Sequence, residues 1–263
     1  MNIQSAKRIV VKVGTSTLTH KTGLLNLRRV ERLVKILSDL KNSGREIILV
    51  SSGAIGVGVG KLGLPGRPVD TRSKQACAAI GQCELMYIYD KLFSEYNHVV
   101  SQMLLTSDII RDKKRKENVV NTFERLLEYG AIPIVNENDS ISTEEIEFGD
   151  NDTLSATVSI LSHADVLVIL TDIDGLYDKD PHHYADAELI PRVSVIDGSV
   201  RALAGDSAGK QGTGGMITKL NAAEMVMKED IAMYIINGAS PDNLYRLFDG
   251  EQVGTLFERA EDK

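Results

Sequence analysis

Five short apolar runs, each about the length of a β-strand and separated by stretches of helical periodicity, constrain this chain more than anything else in it. They are residues 7–13 (KRIVVKV), 46–51 (EIILVS), 131–135 (AIPIV), 165–170 (DVLVIL) and 231–236 (IAMYII), with a weaker run at 98–105. Their apolar character is nearly continuous rather than alternating, as expected of strands buried on both faces of a parallel sheet. Between the first two, Leu27, Val30, Leu33, Val34, Leu37 and Leu40 recur at helical spacing, and Gly44 ends the pattern. Further helices are predicted over 71–96, from about 118 to 129, and over 154–162 and 216–228. Repeated strand–helix–strand units predict an α/β fold, a three-layer αβα sandwich around a mainly parallel central sheet.

A length of 263 residues suits one such domain or two closely joined lobes. No apolar run reaches the roughly 18 residues that span a bilayer, and the opening MNIQSAKRIVVKVG lacks the anatomy of a signal peptide. The expectation is a cytoplasmic protein with no membrane partner. A net charge of −7 argues against a nucleic-acid partner. The one dense basic run, Arg111 and Lys113 to Lys116, reads as a solvated loop or a helix start. Cys77 and Cys83 lie six apart on a predicted helix and face different ways, which suits neither a disulfide nor a metal knuckle.

Ligands of such sheets gather beyond the carboxyl ends of the strands. Those ends read Lys12-Val13-Gly14-Thr15-Ser16, Ser51-Ser52-Gly53-Ala54, Asn136-Glu137-Asn138-Asp139 and Thr171-Asp172-Ile173-Asp174-Gly175. Four polar ends on one edge imply a site. A lysine inside a β-branched strand, as Lys12 is, must be at an edge, snorkelling, or paired with an anion. Gly14 beside it permits close approach of the backbone or a positive φ, and Thr15 adds a hydroxyl. No GxxxxGK[ST] occurs, and the GxGxxG at residues 58–63 starts too far beyond its strand to mark a dinucleotide site. Ser51 to Ala54 is better placed, since it joins a strand directly to a helix whose free N–H groups favour an anion. The cluster Gly212 to Gly215 leads into a helix with Thr218 and Lys219 in its first turn, and reads either as a flexible loop or as a phosphate cradle. The polar stretch over 134–155, with a second knot at Gly149-Asp150-Asn151-Asp152, holds neither Lys nor Arg. It is either an acidic, solvated connection or a collar for a polar small molecule or a metal-bound phosphate.

Together VKVGTSTLT, LVSSGAIGVG, PIVNENDSIS, FGDNDTLSA, LTDIDGLYDKDP and GTGGMITK resemble the glutamate 5-kinase group of the amino acid kinase family, from about Lys7 to Ile236. The resemblance implies that family's carbamate kinase-like fold, and transfer of the γ-phosphoryl group of ATP to the side-chain carboxylate of L-glutamate with Mg²⁺, the first step of proline biosynthesis. It implies that Lys12 and Lys219 neutralise phosphate charge, and that Asp152 organises them. Ser52, Gly53, Ala54, Asn136, Asp139, Asp150 and Asn151 are implied to bind glutamate. Lys12, Gly14, Thr15, Thr171, Asp172 and Thr213, Gly214, Gly215, Met216, Ile217, Thr218 and Lys219 are implied to line the ATP pocket. No residue is assigned as a direct metal ligand. The amino acid would sit on residues up to about 164 and ATP on those from about 165, within one kinase domain; the family's C-terminal RNA-modification-like (PUA) domain is not expected. Residues 140–148 would form a lid over glutamate, L-proline would be a feedback inhibitor, and the assembly would be a homotetramer or homodimer. His182 stands where the family's usual basic residue follows Asp180-Pro181, which questions a minor contact on the nucleotide side. The alternatives are a sister kinase for another carboxylate or carbamate, or a noncatalytic nucleotide sensor. A carboxylate nucleophile is already ionised near neutral pH, so no catalytic base is expected.

Overall fold

The computed structural model describes residues 2–20, 22–106, 109, 112–141, 151–205 and 215–260. In chain order the principal elements are β1 (Arg8–Val13), α1 (Thr15–Leu18), α2 (Leu27–Asn42), β2 (Glu46–Ser51), α3 (Ala54–Leu62), α4 (Thr71–Ser94), β3 (Val100–Leu105), α5 (Lys113–Glu128) and β4 (Ile132–Glu137). There follow α6 (Asp152–Leu161), β5 (Val166–Thr171), β6 (Arg192–Val193), α7 (Gly198–Gly205), α8 (Met216–Lys228), β7 (Ala232–Asn237), α9 (Asn243–Phe248) and β8 (Thr255–Phe257).

The strands form one sheet in the order β3-β4-β2-β1-β5-β7-β8-β6. Six of them, β1 to β5 and β7, run parallel, while β8 joins β7 antiparallel and pairs in parallel with β6. Successive strand residues serve opposite faces. Ile9, Val11, Val13, Ile47, Leu49 and Val168 belong to one apolar cluster. Val10, Ile48, Val50, Leu167 and Ile169 belong to the other. Both clusters are covered by helices, which gives the predicted three layers. The sheet is continuous across residue 164, because β1 pairs with β5 from Ile9↔Val166 to Val13↔Leu170.

Some boundaries moved. α5 starts at Lys113 rather than near Asn118, because the Asp112 carboxylate accepts from the N–H groups of Lys114 and Arg115 and caps the first turn. Lys113 to Lys116 of the basic run therefore start that helix. β4 continues through Asn136 and Glu137, so these residues belong to a strand rather than to the loop after it. The GxGxxG glycines lie inside or at the end of α3, and the first of them, Gly58, sits where that helix crosses α4. A Cβ on Gly58 would fall 1.9 Å from the Cys77 carbonyl oxygen, and one on Gly81 of α4 would fall 1.8 Å from that of Ala54. Cys77 is buried and Cys83 exposed on α4, as their spacing predicts. Among the described residues no helix is long and apolar enough to cross a membrane.

Candidate active site

β1 occupies the middle of the sheet, with Lys12 in register with Val50 of β2 on one side and Ile169 of β5 on the other. Of the three readings of Lys12, an edge position is therefore excluded. Lys12 is 7% exposed, and its Nζ lies 2.7 Å from Oδ1 of Asp152. Lys219, in the first turn of α8, is 6% exposed and places its Nζ 3.0 Å from the other oxygen, Oδ2. The Thr218 hydroxyl is also within reach of Oδ2 at 3.0 Å and of the Gly215 carbonyl at 2.7 Å, and its single proton serves one of them at a time. Asp152 opens α6 and is fully buried. Burying a carboxylate costs several kcal/mol unless it is paired, and here two ammonium groups converge on it. Two ammonium groups facing one carboxylate form an arrangement that suits an approaching anion.

A second polar group adjoins it. Asn151 is the N-cap residue of α6, but its side chain makes no cap hydrogen bond. Instead its Nδ2 donates to Asn136 Oδ1 at 2.8 Å and to the Ser51 carbonyl at 3.4 Å, and Asn136 Nδ2 donates to Gln82 Oε1 at 2.9 Å. Ser51 also shares a proton with the hydroxyl of buried Tyr89, 2.9 Å away. Among the described residues, Asn151 Oδ1 and Asp139 Oδ1 are buried without a hydrogen-bond partner. Buried acceptors left in this state mark where a donor from outside belongs. The Asp139 carboxyl is pushed up to about 7, by burial first and by the nearby Glu137 charge second, with Arg67 pulling the other way.

Ser52 is buried at the end of β2 and Gly53 takes a φ of +97°, a conformation suited to glycine, as it turns the chain into α3. No side chain caps that helix. Gly53 and Ala54 line a cleft of about 330 Å³ together with Thr15, His20, Gly56 and Arg67. Gly14 does not need the positive φ that was one of its two readings: its φ is −84°, open to any residue, and a Cβ there would meet only ordinary contacts at 3.8–3.9 Å, Lys12 Nζ among them.

Across β1, Thr171 ends β5, where its hydroxyl donates to Asp172 Oδ1 at 3.1 Å and its carbonyl accepts from Gly238 at 2.7 Å. Asp172 is exposed. Gly215 is the N-cap residue of α8 without a side-chain cap, Met216 is buried and Ile217 is 49% exposed. Asp150, Thr213, Gly214 and residues 142–148 of the lid predicted over 140–148 lie outside the described residues. Thus Lys12, Asp152, Thr218 and Lys219 meet directly, as do Asn136 and Asn151, while Thr15, Thr171 and Asp172 share their edge of the sheet. Gln82, Tyr89 and Arg67 escaped the sequence reading, because nothing local distinguishes a helix glutamine, a core tyrosine or a loop arginine from their ordinary counterparts. No group of three or more His, Cys, Asp or Glu side chains converges to cage a metal among the described residues.

The model of the amino acid kinase family matches residues 7–237. The chain is 53% identical over 259 residues to the glutamate 5-kinase of Clostridium perfringens, covering 97% of this chain and 96% of the relative. It is 51% identical to the glutamate 5-kinase of Listeria innocua, covering 97% and 94%. Among solved structures, an isopentenyl phosphate kinase superposes with a TM-score of 0.64 at 18% identity, over 95% of this chain and 99% of that one. The UMP kinase of Bacillus anthracis superposes with a TM-score of 0.61 at 17% identity, over 95% of each chain. At such identities these two structures bear on the fold alone.

Proposed function

Since the chain belongs to the amino acid kinase family, we propose that it phosphorylates the side-chain carboxylate of L-glutamate with ATP, giving L-glutamyl 5-phosphate and ADP, the first step of L-proline biosynthesis. A carboxylate oxygen of glutamate attacks the γ-phosphorus, and the bond from that phosphorus to the β–γ bridging oxygen breaks, its electron pair leaving with ADP. The nucleophile is ionised at neutral pH, so no base is required. What must be overcome is the approach of an anion to a polyphosphate, and this calls for positioning and charge neutralisation. The observation that carries the reading is the buried clamp of Lys12 and Lys219 on the two oxygens of Asp152. It supports Lys12 and Lys219 as the groups that neutralise the transferring phosphoryl, with Asp152 fixing both. Mg²⁺ would enter with the nucleotide and would supply further neutralisation of phosphate charge, and no residue of this chain is assigned to hold it.

The unpaired acceptors on Asp139 and Asn151 suit the ammonium of an amino acid, and the open N-terminus of α3 at Gly53 and Ala54 suits its main carboxylate. Ser52 and Asn136 complete that side. Thr15, Gly14, Thr171, Asp172 and Gly215 to Lys219 face the nucleotide. The acceptor groups all precede residue 165, and most of the nucleotide groups follow it, which supports a division of labour between the two halves of the sheet. Proline feedback, a homotetrameric or homodimeric assembly and a cytoplasmic location belong to the same reading and rest on the family resemblance.

Incubation with ATP, Mg²⁺, L-glutamate and hydroxylamine traps the acyl phosphate as a hydroxamate. Glutamyl hydroxamate should form, with little product from aspartate or N-acetylglutamate. Absence of the glutamyl product, or an equal yield from another acid, would contradict the assignment.

A further inference from the structure

The amide chain behind the acceptor site has a fixed polarity, and its outer end lies on a helix to which no role has been given. A backbone carbonyl only accepts, so the Asn151 atom facing the Ser51 oxygen at 3.4 Å is Nδ2. That nitrogen also donates to Asn136 at 2.8 Å, so the Asn136 atom there is Oδ1. Asn136 Nδ2 must then point the other way, where Gln82 of α4 accepts it through Oε1 at 2.9 Å. Asn136 and Asn151 are each 1% exposed, so their amide atoms have no ready substitute in water. With both Nδ2 protons of Asn151 engaged, its remaining polar atom is Oδ1, buried and without a partner among the described residues.

We infer that Gln82 is a positioning residue for acceptor recognition: by accepting the outward Asn136 N–H it locks a chain of amides that presents Asn151 Oδ1 to the ammonium group of the substrate. This rests on the proposed acceptor being an amino acid, and it adds to that reading a residue two side chains removed from the substrate. Methionine at position 82 matches glutamine in length and lacks the acceptor, leaving a buried amide proton of Asn136 unmatched. Glutamate there keeps an acceptor. Neither residue touches the phosphoryl-transfer cluster.

The test compares kcat/KM for L-glutamate with that for glutarate, which keeps both carboxylates but has no ammonium, using the full-length chain and hydroxamate detection. Gln82→Met should lower the glutamate-to-glutarate ratio about tenfold, the scale of one lost hydrogen bond, through the glutamate KM and with kcat and the ATP KM unchanged. Gln82→Glu should keep the wild-type ratio. A Gln82→Met enzyme with the wild-type ratio, or one in which both acids lose kcat equally, would overturn the inference, because damage that is merely structural does not distinguish the two acids. Should the wild type make no glutamyl hydroxamate at all, it is the proposed function that fails. If Gln82→Met does not fold, Gln82→Leu and Gln82→Lys, which also lack an acceptor, are held to the same ratio.

Discussion

If Asp139 binds the acceptor as proposed, burial sets the range in which its carboxylate works. Its pKa is raised to about 7 by burial and by Glu137, and held from rising further by Arg67. Below that value the group carries a proton and no longer counters an ammonium; above it the carboxylate is available. The predicted kcat/KM for glutamate therefore falls as pH drops through about 7, the profile that reports groups of the free enzyme. Removing the arginine charge in Arg67→Ala should move this acid limb to higher pH, and Asp139→Asn should abolish the limb while lowering kcat/KM. A wild-type profile flat from about pH 6 to 8 would contradict the role given to Asp139. The candidate site residues were visible one by one as odd choices in the sequence, such as a lysine in an apolar strand or paired carboxylates and amides at a chain reversal. Their pairing was not visible. Lys12 and Asp152 are brought together only by the parallel sheet and the start of α6, and Gln82 shows itself only once α4 lies against β4.

At the level of elements, periodicity located β2 and α8 to the residue and β1 to within one. It failed where a local device overrides the apolar pattern, as with the Asp112 cap that starts α5 early, and where an element is too short to show a period. β6 has two residues and β8 three, and both are held by sheet pairing rather than by any pattern of their own. The α3–α4 crossing is the clearest case of a motif whose meaning only packing reveals. Gly58 and Gly81 let two helix backbones touch. Gly81→Ala, whose added methyl would fall 1.8 Å from the Ala54 carbonyl oxygen, should lower the thermal midpoint by about 5 °C or more. Gly198→Ala, where a Cβ meets nothing within 4 Å, should leave it nearly unchanged. Equal midpoints for the two variants would show that the crossing tolerates a methyl group.

Across the whole molecule, the order of strands does the essential work. Placing β1 between β2 and β5 sets Lys12 between the proposed acceptor side, built from β2, β4 and the start of α6, and the proposed nucleotide side, built from β5 and the start of α8. The fold class was legible in the sequence because continuous apolar strands leave few other architectures. The antiparallel flank of β8 was not. On this account the molecule is a scaffold that holds two lysines on one buried carboxylate and lets two anions meet there. The most direct test is the turnover of Lys219→Ala at saturating glutamate and Mg–ATP, in protein shown by thermal unfolding to retain its fold. Loss of one preorganised positive charge should lower kcat by about 10²-fold or more. A folded variant with kcat within a few-fold of wild type would remove Lys219 from phosphoryl transfer and contradict the account.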